Sequence, residues 1–210
     1  MIKVAYSNVE KLDLQKAFPL LPSFRKNKVS HLRFDKDKKL SCGVYLLLKK
    51  MLDETDIHNP LIKTEKYDKP YISNYPDVHF NLSHSGKYVA CTISDRKVGI
   101  DIEYNDPTID LNIAKNFFFN KEYEEIINSN NPANEFFKYW VLKESYMKYT
   151  GLGFNLELNS FEIVINDKIK LRNDKNDIKF SLFDIHDYKL AVASKYPVKE
   201  CVEYDIKSLY

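Results

Sequence analysis

Two acidic residues, Asp101 and Glu103, alternate with apolar residues in a short stretch of the chain. Val98, Ile100 and Ile102 occupy the positions between and before them, which is typical of a β-strand with one buried face. The two carboxylates then project from the opposite face, with backbone positions roughly 6.6 Å apart. Such a pair can bind a divalent cation, but a polar strand face in contact with water gives the same pattern.

A third carboxylate, Glu144, lies four residues before Lys148 and next to Lys143 in a stretch with helical spacing. Because this turn falls between the apolar residues Trp140 and Met147, we predict that Glu144 is only partly exposed. A half-buried carboxylate is costly unless a cation accompanies it. Lys148 can be that cation, and an ordinary surface ion pair between positions four apart is the simplest alternative.

A serine and a histidine, Ser83 and His84, stand side by side within the segment 81–86. They do not predict a hydrolase, because neighbouring side chains of an extended chain point in opposite directions and no GxSxG elbow is present. We interpret the segment as a polar turn after a strand, where hydroxyl, imidazole and amide donors can meet a phosphate.

Basic residues are concentrated between positions 25 and 50, although the whole chain has a net charge of only +2. This stretch can bind an anion, or it can simply be the solvated face of a lysine-rich helix. Few aromatic residues are interleaved with the basic ones, so single-stranded nucleic acid is disfavoured. Its nine basic residues are Arg25, Lys26, Lys28, Arg33, Lys36, Lys38, Lys39, Lys49 and Lys50.

The composition is that of a folded domain: 210 residues with 44% hydrophobic and 30% charged side chains. The charge balance excludes a polycation and an acidic tail protein. No apolar run approaches the ~20 residues of a membrane span, and the first residues lack a signal-peptide pattern. The three scattered cysteines, Cys42, Cys91 and Cys201, are expected to be reduced thiols of a cytoplasmic protein.

The elements that position these residues are a mixture of strands and helices, so we predict an α+β fold rather than a regularly alternating sheet. A seam near residue 104 divides the chain into residues 1–104 and 105–210. Helices are predicted over 38–51, from an N-cap at Asn120 through Ile127, and from an N-cap at Asn131 to Gly151. Strands are predicted over 2–6, 78–82, 88–93, 98–103, 160–165, 179–183 and 188–193.

Three segments occur together and in order: His79–Gly86, Val98–Glu103 and Phe137–Lys148. Together they resemble the 4′-phosphopantetheinyl transferases of the surfactin-synthetase-activating type. The resemblance extends over nearly the whole chain, and the pairing of Gly-Ile-Asp-Ile-Glu with Trp-x-x-Lys-Glu-Ser is specific. It implies two similar α+β subdomains in a pseudo-two-fold arrangement, with the active site in the cleft between them.

The resemblance also implies a reaction, in which the phosphopantetheine arm of coenzyme A moves to a serine of an apo carrier protein. Adenosine 3′,5′-bisphosphate is released. Asp101, Glu103 and Glu144 would hold Mg²⁺, although such a site also accepts Mn²⁺. Asp101, Glu144 and Lys148 would be catalytic. Glu144 is a candidate general base for the serine, and a bound water is the alternative base.

The coenzyme A site is implied less securely, because two positions depart from the family pattern. Asp68 replaces a glycine, and Leu40 replaces a hydroxyl residue that often touches the nucleotide. The N-terminal half would bind coenzyme A, and the C-terminal half would carry the metal and the catalytic helix. The residues expected to contact coenzyme A are Arg25, Lys28, Lys39, Lys69, Ser83, His84, Lys143 and Lys148.

The expected partner is an apo acyl or peptidyl carrier protein, with no nucleic acid and no membrane, and the chain is expected to be a monomer. Leu111 and the run Phe117–Phe119 can receive a carrier helix, but core positions are the simpler interpretation for at least two of these phenylalanines. Two other functions were weighed: a catalytically impaired paralogue that only binds, and a metal-dependent pyrophosphatase. The complete set of Asp101, Glu103, Glu144 and Lys148 disfavours the first, and the absence of a Gly-rich phosphate loop disfavours the second.

Overall fold

The structure is a computed structural model that describes residues 1–174 and 176–210. Its strands are β1 (Ile2–Asn8), β2 (Ile62–Thr64), β3 (Pro70–Ile72), β4 (His79–Ser85), β5 (Tyr88–Ser94), β6 (Val98–Tyr104), β7 (Ile163–Ile165), β8 (Ile169–Leu171), β9 (Lys179–Ile185), β10 (Tyr188–Ser194) and β11 (Val202–Glu203). Its α-helices are α1 (Leu14–Ala17), α2 (Ser23–Ser30), α3 (Asp35–Asp53), α4 (Asn112–Phe117), α5 (Asn120–Ile127) and α6 (Pro132–Thr150). Short 3₁₀ turns cover Phe18–Leu20, Gly153–Asn155, Leu158–Ser160 and Ile206–Leu209. The predicted α+β class is confirmed.

Two sheets form the centre of the molecule. The first has the strand order β11-β1-β5-β4, and the second has the order β6-β10-β9. One apolar cluster fills the space between the first sheet and α3, and another lies between the second sheet and α6. A third cluster joins the inner faces of the two sheets, so that the layers follow one another as α3, first sheet, second sheet and α6.

The two halves repeat one plan. Each begins with a seven-residue strand and continues through a 19-residue helix and a hairpin of two three-residue strands. Each ends in a hairpin of two seven-residue strands. In each half the first strand pairs antiparallel with the last, as β1 does with β5 and β6 does with β10. The pseudo-two-fold repeat that the resemblance implied is therefore visible in the strand pairing.

The C-terminal helix α6 is delimited by local signals in the sequence. The Asn131 side chain accepts a hydrogen bond from the backbone N–H of Asn134, and Pro132 occupies the first helical turn. Gly151 ends the helix with a φ of 78°, a left-handed conformation that glycine adopts readily. The predicted ends of this helix are confirmed.

Two local predictions need correction. The segment 81–86 is not a polar turn, because Asn81–Ser85 lie inside β4 and the chain turns at Gly86 and Lys87. The helix expected to be capped by Asn120 is instead preceded by Phe119, whose backbone N–H donates to the Glu122 carboxylate. The alternating polar residues of β4 resemble a turn when only the local sequence is considered. Their polar contacts are with β6, which follows later in the chain, so the local pattern does not reveal them.

The predicted division after residue 104 also needs correction. β6 pairs with β10 and therefore belongs to the C-terminal sheet, so the two halves meet between β5 and β6. In addition, β11 returns to pair with β1, and Ile206 and Leu209 complete the core beneath α3. Sequence periodicity identifies strands but not their partners, which is why the division was misplaced. In the described part of the chain, no helix combines the length and apolarity needed to cross a membrane.

Candidate active site

A cleft of about 610 Å³ lies between the two halves, within the range typical of small-molecule sites. Its floor carries three carboxylates, its rim is basic, and one wall is apolar. The polar lining consists of Arg25, Lys28, Thr64, Asp68, Asn81, Ser83, His84, Asp101, Glu103, Glu144 and Lys148. The apolar lining includes Phe24, Val44, Tyr45, Leu48, Ile62, Pro70, Phe80, Leu82 and Trp140.

Strand β6 delivers Asp101 and Glu103 to the cleft floor from one face, as its alternation predicted. Asp101 is only 2% exposed. Its Oδ1 accepts hydrogen bonds from the Ser83 hydroxyl at 2.9 Å and from the Lys148 ammonium at 2.7 Å. Its Oδ2 is buried and has no hydrogen-bond partner within the described residues. A buried, unpartnered carboxylate oxygen is costly, and a bound cation would remove that cost.

Helix α6 brings Glu144 and Lys148 over β6 because Gly99 leaves room for it. A Cβ built at Gly99 would lie 2.1 Å from the Ser145 carbonyl oxygen and 2.3 Å from the Tyr149 backbone nitrogen. Only a residue without a side chain therefore permits this approach. Glu144 is half-buried, as expected. Lys148, however, forms its ion pair with Asp101 rather than with Glu144.

The crowding of carboxylates is unfavourable to their charged forms. Burial raises the pKa of Glu103 to about 7, and the neighbouring Asp101 carboxylate adds to the shift. Burial likewise raises the pKa of Glu144, again with a contribution from Asp101, while Lys148 opposes the shift. The single positive charge of Lys148 thus compensates the three carboxylates only in part. The cleft floor therefore carries an excess of negative charge.

These carboxylates have the chemistry that Mg²⁺ requires. In the described residues, no three acidic, histidine or cysteine side chains already surround a common point as a complete metal cage. Mg²⁺ nevertheless takes only one or two carboxylates in most nucleotide sites and completes its octahedron with phosphate oxygens and water. The unpartnered Oδ2 of Asp101 and the raised pKa of Glu103 make the predicted set suitable for such a cation.

The rim of the cleft brings together three of the predicted basic residues. Arg25 is half-buried, and its guanidinium donates to the Ser41 carbonyl oxygen at 2.9 and 3.2 Å. Lys28 and His84 are exposed and line the same cleft. Desolvation by the surrounding walls lowers the pKa of His84, and the positive charge of Lys148 lowers it further. A polyanion would find complementary charge here.

Three other predicted coenzyme A contacts have different partners in this structure. The Lys39 ammonium lies outside the cleft and donates to the Glu10 carbonyl oxygen at 2.7 Å. Lys143 is fully buried in the C-terminal core, where it pairs with Glu122 at 2.8 Å. Lys69 donates to the Lys148 carbonyl oxygen at 2.5 Å, and burial lowers its pKa to about 8. The structure does not bring these three lysines to the cleft lining.

The two departures from the family pattern fall in different places. Leu40 of α3 is buried in the N-terminal core and is not part of the cleft lining. Asp68 lines the cleft with a φ of 59°, a left-handed conformation that a glycine would adopt more readily. The carboxylate of Asp68 therefore reaches the cleft that the basic rim makes attractive to anions.

The phenylalanine run near the cleft was judged mostly core, and that was wrong. Phe118 is buried and stacks on Phe136, but Phe117 is 56% exposed and Phe119 is 36% exposed. Leu111 is half-buried. A three-residue apolar run has no clear period, so the sequence could not show which side chain points inward.

Besides Asn81 and Thr64, which line the cleft, the sequence patterns did not single out Ser85. Its hydroxyl donates to Glu103 Oε2 at 2.6 Å. The signal was present, because Asn81, Ser83 and Ser85 alternate with Phe80 and Leu82 as expected for one face of a strand. Interpreting the segment as a turn concealed that signal.

Comparisons with known proteins agree with this geometry. Residues 97–196 match the model of the 4′-phosphopantetheinyl transferase superfamily, and residues 8–95 match a model described as 4′-phosphopantetheinyl transferase, N-terminal. The two matches meet between β5 and β6, where the sheets also divide the chain. The chain belongs to the 4′-phosphopantetheinyl transferase superfamily.

Several curated relatives of this transferase superfamily are similar to the chain. The 4′-phosphopantetheinyl transferase Sfp of Bacillus subtilis (strain 168) is 35% identical over 153 residues, covering 70% of this chain and 66% of that protein. The 4′-phosphopantetheinyl transferase gsp of Aneurinibacillus migulanus is 39% identical over 125 residues, covering 58% and 52%. The chain thus spans just under two thirds, or less, of these relatives' lengths.

Among solved structures, the holo-[acyl-carrier-protein] synthase of Thermotoga maritima is similar to part of the chain. It aligns with a TM-score of 0.41 and 20% identity, covering 46% of this chain and 61% of that one.

Proposed function

We propose that the protein transfers the 4′-phosphopantetheine arm of coenzyme A to a serine of an apo carrier protein. The observation that carries the proposal is the composition of the cleft: three carboxylates beside Lys148 on the floor, and basic residues on the rim. A pyrophosphate ester bound through a divalent cation needs this combination of charges. Membership of the transferase superfamily supports the same substrate class.

In the proposed reaction, the serine Oγ forms a bond to the phosphorus next to the pantetheine. The bond from that phosphorus to the bridging oxygen of the pyrophosphate breaks, and adenosine 3′,5′-bisphosphate leaves with the bond electrons. The serine proton passes to a base. Glu144 is a proposed base if it does not ligate the cation directly, since burial raises the pKa of its carboxylate whereas a bound cation would lower it; a water in the cleft is the alternative.

We assign Asp101, Glu103 and Glu144 as the residues that would hold Mg²⁺, and Mn²⁺ is an acceptable substitute. When bound, the cation neutralises the pyrophosphate and the charge that develops on the leaving group. Lys148 lies 2.7 Å from Asp101 and is placed to contribute its charge to the phosphates. With a cation on the carboxylates, the Lys148 ammonium no longer has to compensate Asp101 alone.

The proposed coenzyme A contacts are the basic residues that line the cleft. Arg25, Lys28 and His84 are placed to bind phosphate oxygens, with Ser83 and Lys148 deeper in the cleft. The apolar wall formed by Tyr45, Leu48 and their neighbours suits a flat heterocycle such as adenine. Lys39, Lys69 and Lys143 are omitted from the proposed contacts because none of them is in the cleft lining and each is bound to another part of the protein.

The proposed protein partner is an acyl or peptidyl carrier domain with an acidic surface, which would meet the basic rim. Phe117 and Phe119 are exposed and offer apolar contacts to a carrier helix. We propose a monomer, since both halves of the cleft come from one chain. We place the reaction in the cytoplasm because all three cysteines are unpaired thiols.

Intact-mass spectrometry tests the proposal directly. The protein is incubated with coenzyme A, Mg²⁺ and either an apo acyl carrier protein or an apo peptidyl carrier domain, with EDTA as the control. We expect each accepted carrier to gain the mass of one phosphopantetheine, and EDTA to abolish that gain. Measurable coenzyme A binding without any gain on several carriers would contradict transfer and indicate a protein that only binds.

A further inference from the structure

Strands β4 and β6 run side by side, yet no backbone pairing joins them within the described residues. Three side chains of β4 accept the backbone N–H groups of β6 instead. The Ile100 N–H donates to Asn81 Oδ1 at 2.9 Å. The Ile102 N–H donates to Ser83 Oγ at 3.3 Å, and the Tyr104 N–H donates to Ser85 Oγ at 3.2 Å. We call Asn81, Ser83 and Ser85 the seam ladder.

The seam ladder keeps a constant register. Each acceptor lies 19 residues before the residue whose N–H it binds, so β4 and β6 are parallel and in step over three successive contacts. A backbone N–H that is buried without a partner is costly, and these side-chain oxygens replace the carbonyl groups that a sheet would supply. A slip of β6 against β4 would break every contact at once.

Two members of the seam ladder also bind the carboxylates of the cleft. The Ser83 hydroxyl donates to Asp101 Oδ1 at 2.9 Å, and the Ser85 hydroxyl donates to Glu103 Oε2 at 2.6 Å. A hydroxyl has one proton and two lone pairs. Because each hydroxyl accepts from the strand and donates to the carboxylate, its orientation is determined at both ends.

Glu103 depends on this arrangement more than Asp101 does. The Lys148 ammonium also holds Asp101. Within the described part of the chain, the Ser85 hydroxyl is the single hydrogen-bond donor to the Glu103 side chain. If Ser85 is lost, this half-buried carboxylate has no hydrogen bond to select one orientation.

We infer that Ser85 is a positioning residue for the proposed metal site, holding Glu103 towards the cation, and that Asn81 sets the register of the strand that carries it. This inference rests on the proposed function. It means that a strand of the N-terminal half orients a metal ligand of the C-terminal half. The alternative is that the seam ladder only joins the two halves, in which case its loss reduces stability and leaves metal binding unchanged.

The test compares Ser85→Ala with Ser85→Thr and with a matched control, Ser181→Ala. Ser181 lies on β9, and its hydroxyl likewise accepts a backbone N–H, from Val198 at 2.9 Å, but it is not part of the cleft. Binding of Mn²⁺ is measured by electron paramagnetic resonance, with and without coenzyme A. The Mg²⁺ concentration for half-maximal transfer and the melting temperature are measured in parallel.

We expect Ser85→Ala to weaken Mn²⁺ binding about five- to tenfold and to raise the half-saturating Mg²⁺ concentration similarly, on the scale of a lost ligand-orienting contact. Ser85→Thr keeps the hydroxyl and should bind Mn²⁺ within about twofold of the wild type. Ser181→Ala should leave both metal measurements unchanged, whatever its effect on the melting temperature.

Mn²⁺ binding by Ser85→Ala within about twofold of the wild type would overturn the inference, even if the variant melts earlier. If Ser85→Ala does not fold, Ser85→Cys takes its place, because the thiol keeps the volume of the side chain but is a much weaker donor. Mn²⁺ binding about five- to tenfold weaker than in the wild type would then support the inference, and binding within about twofold of the wild type would overturn it. A wild type that transfers without any divalent cation would leave the proposed transfer standing but overturn the metal assignment, and the role of Ser85 with it. A metal-dependent wild type with an unaffected Ser85→Ala overturns the inference alone.

Discussion

The two halves of the molecule have one plan of strands and helix, but the three carboxylates beside Lys148 all come from the C-terminal half, whereas the N-terminal half contributes only Asp68, from outside its strands and helices. Pairing of the first strand with the last makes Ala5 in β1 equivalent to Asp101 in β6. In the same way, Ser7 is equivalent to Glu103, and its hydroxyl donates to the Tyr204 carbonyl oxygen. The same arrangement of strands therefore accommodates either a carboxylate or an uncharged side chain at these positions. The two halves differ in the residues at a few such positions.

The long helices differ in the same way. Counted from the first residue of each 19-residue helix, Leu47 in α3 corresponds to Glu144 in α6, and Met51 corresponds to Lys148. Both residues of α3 are buried in the core. The N-terminal helix thus stabilises its sheet through apolar contacts, whereas the C-terminal helix also projects charged side chains towards the cleft.

A single glycine accounts for much of this difference. α6 packs closely on β6, where Gly99 has no side chain, whereas α3 packs mainly on β5 and the position equivalent to Gly99 is Lys3. The close approach places Glu144 and Lys148 next to Asp101. The close approach of helix to strand, as much as the identity of the acidic residues, therefore distinguishes the C-terminal half from the N-terminal half.

The largest effect is expected from Asp101→Asn and Glu144→Gln. Each should reduce the transfer rate at least 10²–10³-fold, because each removes a charge that the proposed cation and transition state require. A control in the other half, Ser7→Ala at the position equivalent to Glu103, should keep the rate within about threefold. Time courses of carrier mass gain measure the rates, and circular dichroism confirms folding. Wild-type rates in either acidic variant would remove the metal assignment.

Lys143→Met should cost about 3–5 kcal/mol of unfolding free energy. Glu122 and Lys143 are both almost completely buried, and removal of the lysine leaves the Glu122 carboxylate charged and unpaired. Burial raises the pKa of Glu122 and lowers that of Lys143, so each charge depends on the other. Urea unfolding measures the loss.

The same variant separates two roles for Lys143. A structural lysine leaves the KM for coenzyme A of the folded protein unchanged. A tenfold increase in that KM, with little loss of stability, would instead support the coenzyme A contact that the resemblance implied.

Gly99→Ala compared with Gly43→Ala tests the close approach of the helix. The added Cβ at Gly99 would meet backbone atoms of α6, whereas at Gly43 in α3 it would meet the Val9 side chain at 2.3 Å. A side chain can rotate away, but a backbone cannot. We expect Gly99→Ala to reduce activity about 10²-fold and stability by about 1–3 kcal/mol, and Gly43→Ala to affect stability alone. Equal activity losses would contradict this account.

Local patterns in the sequence were sufficient to place the residues of the cleft floor. Alternation put Asp101 and Glu103 on one strand face, and helical spacing put Glu144 close to Lys148. In the structure Asp101 and Glu103 project from the same face of β6, and Lys148 of α6 contacts that face, as the two patterns predicted. These predictions succeeded because a side chain's direction follows from the period of its own element.

Predictions that depended on a distant partner were less successful. Nothing near Lys143 in the sequence points to Glu122, and nothing near Lys69 points to the last carbonyl groups of α6. The division after residue 104 was misplaced for the same reason, because β6 pairs with a strand more than 80 residues later. Partners of buried charges and of strands are set by the tertiary fold, which a local pattern does not contain.

Metal affinity should depend on pH through Glu103. Its pKa is raised to about 7, so a proton competes with the cation below that pH. We expect Mn²⁺ to bind about tenfold more weakly at pH 6 than at pH 8, as follows from one proton with that pKa. Because the folded pKa exceeds the unfolded value, the metal-free protein should lose stability as pH rises from 4.5 through 7. Equal affinity at both pH values would contradict the raised pKa.

The smallest expected effect compares two lysines of the N-terminal half. Lys28 is exposed on the rim of the cleft, whereas Lys39 lies outside it with its ammonium on the Glu10 carbonyl oxygen. We expect Lys28→Ala to raise the KM for coenzyme A about three- to tenfold, the scale of one exposed charge contact. Lys39→Ala should change that KM less than twofold.

Salt provides the control for this pair, because an exposed charge contact weakens as ionic strength rises. The difference between Lys28→Ala and the wild type should therefore shrink between low salt and about 0.5 M salt, while Lys39→Ala stays close to the wild type throughout. A larger KM effect in Lys39→Ala than in Lys28→Ala would reverse the placement of the two side chains. The coenzyme A site would then have to extend to the first turns of α3, where Lys39 lies.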